Sequence, residues 1–281
     1  MGKFSFQHGQ ATLATTRRWG ARLAGVPILA LALAFAFVLA VPGPALAQPL
    51  VRPVQVAAAA NLQPVLAELV PIYERQHPGG DRISVTVGSS ANLVRQIQQG
   101  LPADLFLSAD EGYALRLFDA GLTPDRGAVY ATGRLVLMVP AASRLALDPQ
   151  LAGLSAAWPS ITQFAIANPE LAPYGQAAMQ ALQHLGLWPA PKGKIVLGES
   201  IAQTTQFIST GAAQAGMTAL SLALAPQLAG RVRYVLVPET LHAPLRQRMV
   251  LLKTASPAAR AFYEFLQSPQ VRAVLQRYGY V

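Results

Sequence analysis

Small residues that can donate hydrogen bonds follow four predicted strands, at the points where each strand gives way to a helix. These four corners are residues 58–61 (AAAN), 88–92 (GSSAN), 168–175 (NPELAPYG) and 198–201 (GESI). In open α/β sheets, ligands bind beyond the carboxyl ends of the strands. A helix N-terminus there offers unpaired backbone N–H groups and a partial positive charge, which favour an anion. Two corners lie in each half of the chain, so the pattern predicts one anion held from both sides of a cleft.

The corners contain neither Lys nor Arg. An oxyanion bound there would be held by backbone N–H groups, the hydroxyls of Ser89 and Ser90, the Asn61 amide and the Tyr174 hydroxyl. Such neutral dipoles stabilise a desolvated anion when they are aimed at it in advance. A shell of donors suits a fully ionised anion, whereas phosphate at neutral pH carries a proton that needs an acceptor. Glu199 is the acid available for that role, so phosphate is disfavoured rather than excluded.

Other interpretations of these residues remain open. Serine and asparagine at helix starts are ordinary N-caps, and any one corner alone is more simply interpreted as a cap. The division of the corners into two pairs favours a binding site, but their spacing does not identify the anion. Asp104 and Asp110 are interpreted as a turn contact and a helix cap rather than an acid–base pair. Ser89 and Ser90 lack the His–Asp partners of a nucleophilic serine.

Short β-like runs alternate with segments of helical periodicity along residues 54–281. This alternation predicts an α/β fold with mainly parallel sheets covered by helices. The predicted strands are residues 54–58, 83–87, 105–107, 135–139, 164–166, 195–197, 215–219, 232–237 and 249–252. The chain length suits two lobes of about 100 residues each.

The first 47 residues have the pattern of a secretory signal peptide. Basic residues such as Arg17 and Arg18 precede a charge-free apolar run, residues 26–41, and the triplet Ala45–Ala47 follows. The run is shorter than the roughly 20 residues that span a bilayer. We therefore expect cleavage after Ala47 and release into the periplasm. The Arg17–Arg18 pair leaves the choice between general and twin-arginine export open.

Composition narrows the classes of function. The chain has 281 residues, a formal net charge of +9 and no cysteine. The lack of thiols excludes disulfides, thiolate metal ligands and a thiol nucleophile. His77, His184 and His242 are scattered without metal-ligand spacing. No basic run or basic–aromatic stripe indicates a nucleic-acid partner.

The same corners resemble the periplasmic molybdate-binding proteins of ABC importers, which are type II periplasmic solute-binding proteins. The similarity covers nearly all of residues 54–281, and its most specific blocks are the second and third. The matching blocks are VAAAANL at 56–62, VGSSANLVRQI with PADLFLSAD between 87 and 110, IANP with APYG between 166 and 175, SPAARAF at 256–262 and RYGY at 277–280.

The resemblance implies two lobes joined by two crossing strands, with the anion in the cleft between them. Lobe I would comprise residues 48–133 with 248–281, and lobe II residues 134–247. The crossings are expected near Gly133–Leu135 and Gln247–Met249. Two such lobes would close around the ligand.

The resemblance also implies which groups hold the anion. The expected donors are Asn61, Ser90, Tyr174 and Ile201, the last through its backbone N–H, with Ala60 and Ser89 as additional candidates. The metal would be held through the oxyanion oxygens, without any direct metal-cation ligand. One branch of the family has a tyrosine donor where this chain has Ala219, and Tyr174 is expected to replace it. The donor count and the preference between molybdate and tungstate stay open.

These features predict an exported receptor that captures molybdate or tungstate and delivers it to the membrane permease of an ABC importer. We expect no catalysis, no cofactor, no nucleic-acid partner and a monomer. The alternatives are a receptor for another tetrahedral oxyanion such as sulfate or phosphate, or an enzyme or sensor built on the same fold.

Overall fold

The structure is a computed structural model that describes residues 52–80 and 82–281. The predicted signal peptide and its cleavage site at Ala47 lie outside these residues. Within them, two five-stranded sheets are each flanked by helices. The α/β class predicted from the sequence is confirmed.

The described strands follow one another in the order that the sequence patterns predicted, with one additional strand. The strands are β1 (Val54–Ala59), β2 (Ile83–Gly88), β3 (Leu105–Leu107), β4 (Ala128–Gly133), β5 (Leu135–Pro140), β6 (Phe164–Ala167), β7 (Ile195–Gly198), β8 (Ala215–Ala219), β9 (Val232–Leu236) and β10 (Leu245–Leu251). The α-helices are α1 (Gln63–Gln76), α2 (Ser90–Gln98), α3 (Glu111–Asp119), α4 (Ala152–Ala157), α5 (Pro173–His184), α6 (Ile201–Ser209), α7 (Leu220–Ala223), α8 (Pro257–Phe265) and α9 (Pro269–Arg277). The strand that the sequence analysis missed is β4.

The two sheets have the same plan. The first has the strand order β2-β1-β3-β10-β4 and the second β7-β6-β8-β5-β9. In each sheet four strands run in one direction, and the reversed strand, β10 or β5, is antiparallel to both of its neighbours. The sheets are therefore mainly parallel, as predicted. We call the first sheet with its helices the first lobe, and the second sheet with its helices the second lobe.

The chain enters each sheet from the other lobe through the reversed strand of that sheet. The chain leaves the first lobe at Gly133 and enters the second at Leu135. It returns through residues 237–244, and Leu245 at the start of β10 pairs with Gly133. Gln247–Met249 lie inside β10, so the second crossing is earlier in the chain than we expected. The lobe boundaries at 133/134 and 247/248 stay a prediction.

The parallel pairs bring the four corners together in two pairs. β1 and β2 end in register, with Ala59 opposite Gly88, and β6 and β7 do the same, with Ala167 opposite Gly198. Since carboxyl ends of adjacent parallel strands share one edge of a sheet, both corners of each lobe lie side by side. Each sheet thus presents two helix starts at one edge.

Gly133, at the first crossing, is sterically required. A Cβ atom at this position would lie 2.1 Å from the Tyr174 hydroxyl oxygen and 2.6 Å from Gln247 Nε2. Both distances are far inside van der Waals contact. The absence of a side chain on β4 therefore makes room for a tyrosine of the second lobe.

We expect Gly133→Ala to lower the free energy of unfolding by about 1–3 kcal/mol, because the added methyl overpacks a filled space. Gly112→Ala is the matched control, since a Cβ there meets only an Asp110 carboxylate oxygen at 3.9 Å. In helix α3 this control should gain up to about 1 kcal/mol. Denaturant unfolding measures both variants, and equal effects would contradict the steric argument.

Candidate functional site

All six residues predicted to bind an anion line one cavity, to which both lobes contribute. The first lobe supplies Ala59, Ala60, Asn61, Gly88, Ser89, Ser90 and Ala109, and the second supplies Ala172, Pro173, Tyr174 and Ile201. The cavity has a volume of about 10 Å³. Pockets for drug-sized ligands measure about 300–1,000 Å³, so this cavity is far too small for a ligand of that class. Among the described residues no charged side chain lines it.

The side chain of Ser89 favours a role in binding over a role as a helix cap. It occupies the N-cap position of α2, yet its side chain makes no capping hydrogen bond. Its Oγ is buried and has no hydrogen-bond partner in the described part of the chain. At the corresponding corner of the second lobe, Ser200 caps α6 by accepting from Gln203 N–H. A buried hydroxyl without a partner is costly, and an anion in the cavity would satisfy it.

Ser90 is held so that its hydrogen stays available. Its Oγ accepts a hydrogen bond from the Ala109 backbone N–H at 3.1 Å. This contact fixes the side chain against the corner that follows β3. A hydroxyl donates one hydrogen and accepts through two lone pairs, so Ser90 keeps its O–H for a ligand.

Tyr174 reaches the cavity from the second lobe. It follows Pro173 at the start of α5 and is 1% exposed. Its hydroxyl oxygen accepts from Gln247 Nε2 at 3.1 Å, which leaves its hydrogen free. Burial, with a smaller contribution from Tyr280, raises the pKa of Tyr174 well above its ordinary value. The hydroxyl therefore stays protonated and able to donate at neutral pH.

Ile201 and Ala60 contribute backbone rather than side-chain groups. Ile201 is the first residue of α6 and is 3% exposed. The first N–H groups of a helix have no intrahelical acceptor. Ala60 begins the 3₁₀ turn after β1, Ala60–Leu62. The structure brings both backbones to the cavity that the hydroxyls line.

Asn61 lies at the site, but its amide is engaged elsewhere. Its Nδ2 donates to Gln247 Oε1 at 3.0 Å and to the Tyr280 hydroxyl at 2.7 Å, which uses both amide hydrogens. Its Oδ1 is buried without a partner among the described residues. Donation from this amide to an anion stays a prediction. In the structure, the Asn61 amide instead connects Gln247 and Tyr280 behind the cavity.

Sequence analysis missed the polar network behind the cavity. Gln247 accepts from Asn61 and from the Tyr130 hydroxyl, the latter at 2.9 Å, and donates to Tyr174. The Tyr280 hydroxyl donates to the Asn61 carbonyl at 3.1 Å. One signal was present in the sequence, because Gln247 alternates with buried Leu245 and Met249 on β10 and so faces inward.

The carboxylates weighed for catalysis have structural roles. Asp104 pairs with Arg52 at 2.6 Å and accepts from the Gln55 backbone N–H. Asp110 caps α3 by accepting from Tyr113 N–H. The predicted cap at Asp110 is confirmed. Asp104 does not make the predicted turn contact, because its partners lie 49 and 52 positions away in the chain. In the described ranges, no group of three or more His, Cys, Asp or Glu side chains is placed to hold a metal ion.

Backbone and hydroxyl hydrogen bonds join the lobes around the cavity. The Ala91 N–H donates to the Leu171 carbonyl at 3.1 Å, which connects the second and third corners. The Tyr113 hydroxyl donates to the Glu170 carbonyl at 3.2 Å. Deeper in the molecule, the Ser221 hydroxyl donates to the Asn61 carbonyl at 2.8 Å. The two lobes are therefore in direct contact around the cavity.

Comparison with known proteins agrees with this geometry. A family model described as bacterial extracellular solute-binding protein matches residues 54–281. The molybdate-binding protein ModA of Azotobacter vinelandii is 37% identical, over 81% of this chain and 89% of the relative. ModA of Rhodobacter capsulatus is 34% identical, over 80% of this chain and 86% of the relative.

A solved structure supports the same relationship. The periplasmic molybdate-binding protein of Azotobacter vinelandii superimposes with a TM-score of 0.73 at 30% identity, covering 81% of this chain and 98% of that chain. No helix in the described residues has the length and apolar character needed to cross a bilayer. The chain therefore belongs to the bacterial extracellular solute-binding protein family.

Proposed function

We propose that this chain is a periplasmic receptor that binds molybdate or tungstate between its lobes and delivers it to the membrane permease of an ABC importer. The observation that carries the proposal is the unpartnered Ser89 hydroxyl, buried in a small cavity that has no charged lining among the described residues. The named function of the relatives supports the choice of anion. Export follows from the signal pattern of residues 1–47.

The proposed shell consists of neutral donors only. The hydroxyls of Ser89, Ser90 and Tyr174 and the backbone N–H groups of Ala60 and Ile201 converge on one space. Hydrogen bonds to a charged acceptor are worth about 1.5–3 kcal/mol each. Several of them together offset the loss of the anion's hydration without a cation.

The shell also disfavours phosphate. A protonated phosphate needs a hydrogen-bond acceptor, usually a carboxylate, and the two acids in the corners, Glu170 and Glu199, are both exposed. Sulfate carries no proton and the same charge as molybdate, so only cavity size separates the two. Molybdate and tungstate have the same charge and nearly the same size, and the donors treat them alike.

Binding without chemistry is part of the proposal. The hydroxyls of Ser89 and Ser90 have no histidine beside them in the described structure; Ser90 contacts a backbone N–H instead. Asp104 and Asp110 are engaged in a salt bridge and a helix cap. A monomeric receptor that needs no cofactor is consistent with a cavity completed by two lobes of one chain.

Calorimetric titration of residues 48–281 with molybdate, tungstate, sulfate and phosphate tests the ligand. We expect molybdate and tungstate to bind with similar affinity, and sulfate and phosphate at least about 100-fold more weakly, a difference of about 2.7 kcal/mol. Tighter binding of sulfate or phosphate would make that anion the ligand.

The two serines should respond differently to removal of their hydroxyls. Ser89→Ala and Ser90→Ala should each weaken molybdate binding by about 10- to 150-fold, because each loses a hydrogen bond to a charged group. Ser90→Ala should also destabilise the ligand-free protein by about 1 kcal/mol, since Ala109 N–H loses its acceptor. Ser89→Ala should leave that stability unchanged or raise it slightly, because this hydroxyl has no partner in the described part of the chain.

Ser256→Ala provides the control for the serine variants. Ser256 caps α8 by accepting from Ala259 N–H and is not part of the cavity. This variant should lose about 1 kcal/mol of stability and keep the wild-type affinity. Wild-type affinity in Ser89→Ala would remove Ser89 from the site.

Ligand binding should also close the lobes. A ligand held by both lobes favours the closed state by its difference in affinity for the two states. Small-angle scattering should therefore show a smaller radius of gyration with saturating molybdate than without it. Tyr113→Phe removes one rim contact between the lobes and should weaken binding by about 2- to 12-fold. Identical scattering profiles would indicate a rigid, preformed cavity.

A further inference from the structure

Gln247 carries a buried amide on a strand whose neighbouring inward residues are apolar. It is 0% exposed and lies on β10, at the bulge where the pairing with β4 shifts between Gln247 and Arg248. A buried amide is costly unless its hydrogen bonds are satisfied. Met249 and Leu245 occupy the neighbouring inward positions, so an apolar residue would suit the packing of this strand. The amide therefore calls for an explanation beyond core filling.

The partners of Gln247 come from both lobes. Its Oε1 accepts from Asn61 Nδ2 at 3.0 Å and from the Tyr130 hydroxyl at 2.9 Å, both in the first lobe. Its Nε2 donates to the Tyr174 hydroxyl of the second lobe at 3.1 Å. Asn61 and Tyr174 line the cavity, whereas Gln247 stands behind them. Any effect of Gln247 on a ligand must therefore act through these two residues.

The chemistry of the amide fixes the direction of the hydrogen bonds. An amide nitrogen has hydrogens and no available lone pair, so at Tyr174 it can only donate. The tyrosine oxygen must then accept, and its own hydrogen is left for a ligand. A glutamate carboxylate at this position would do the reverse, because it would accept the Tyr174 hydrogen and withdraw it from the cavity.

We propose that Gln247 is a positioning residue of the anion site, which turns the Tyr174 hydroxyl hydrogen into the cavity and ties this orientation to lobe closure. Orientation and closure are linked because the hydrogen bond from Gln247 to Tyr174 spans the two lobes and forms only when they meet. This inference rests on the proposed function, since molybdate is its probe. It adds a residue that has no contact with the ligand.

A double-mutant cycle between Gln247 and Tyr174 tests the proposal. Gln247→Met keeps the side-chain length and removes both hydrogen-bonding groups. In the wild-type background it should weaken molybdate binding by about 10-fold, a coupling typical of residues in one network. In the Tyr174→Phe background, which has no hydroxyl to orient, the same change should weaken binding by less than about 2-fold. A purely structural role of Gln247 would weaken binding equally in both backgrounds.

Gln247→Glu supplies a second test that does not depend on the stability of the methionine variant. As a carboxylate it should draw the Tyr174 hydrogen away and weaken binding by more than about 10-fold at pH 9. As a carboxylic acid it has an O–H donor and a carbonyl acceptor, the two kinds of group that the glutamine amide uses here. Burial raises the pKa of such a group, so binding should recover towards wild type as the pH falls from 9 to 6. Gln206→Glu, on the exposed face of α6, controls for the added charge and should show no such recovery.

The outcomes separate this inference from the proposed function. If the wild-type protein fails to bind molybdate, the proposed function and the inference both fail. If the wild-type protein binds but Gln247→Met has equal effects in both backgrounds, and Gln247→Glu shows no recovery at low pH, only the role of Gln247 is overturned. Unequal effects of Gln247→Met in the two backgrounds, together with recovery of binding by Gln247→Glu at low pH, support the role of Gln247.

Discussion

Holding an ionised oxyanion without a cation is the constraint that the site has to meet. Removing a charge from water is costly, so the compensation must come from dipoles that are already aimed at the ligand. A hydroxyl is aimed at a ligand when a lone pair on its other side is engaged by a protein donor. Ser90 is engaged by Ala109 N–H and Tyr174 by Gln247 Nε2. The polar network behind the cavity is therefore as much a part of the proposed site as the cavity lining.

The repeated plan of the two sheets explains why the cavity is assembled from two halves. In each sheet, a pair of adjacent parallel strands ends in register and presents two helix starts at one edge. The first lobe alone offers three of the five proposed donors, and the second lobe offers two. The antiparallel strands β5 and β10 carry the chain between the lobes, and Gln247 lies on one of them. Closure and the arrangement of donors are thus linked through the same part of the fold.

The sequence was sufficient to predict the features that depend on interactions between residues close together in the chain. Strand and helix periodicity predicted the α/β fold, and the caps at Asp110 and Ser200 follow from contacts three residues apart. The four corners were found because a strand end and a helix start are adjacent in the chain. β4, Ala128–Gly133, was missed because its run AVYATG mixes small and polar residues, and its strand form depends on pairing with distant β10.

Sequence patterns could not predict the polar network behind the cavity either, because its members are far apart in the chain. Asn61 and Gln247 are 186 positions apart, and Asn61 and Tyr280 are 219 apart. Nothing local requires a glutamine on β10 to meet an asparagine after β1. Only the return of the chain through the second crossing brings them together, so the orientation of the Asn61 amide could not be deduced from its position at a corner.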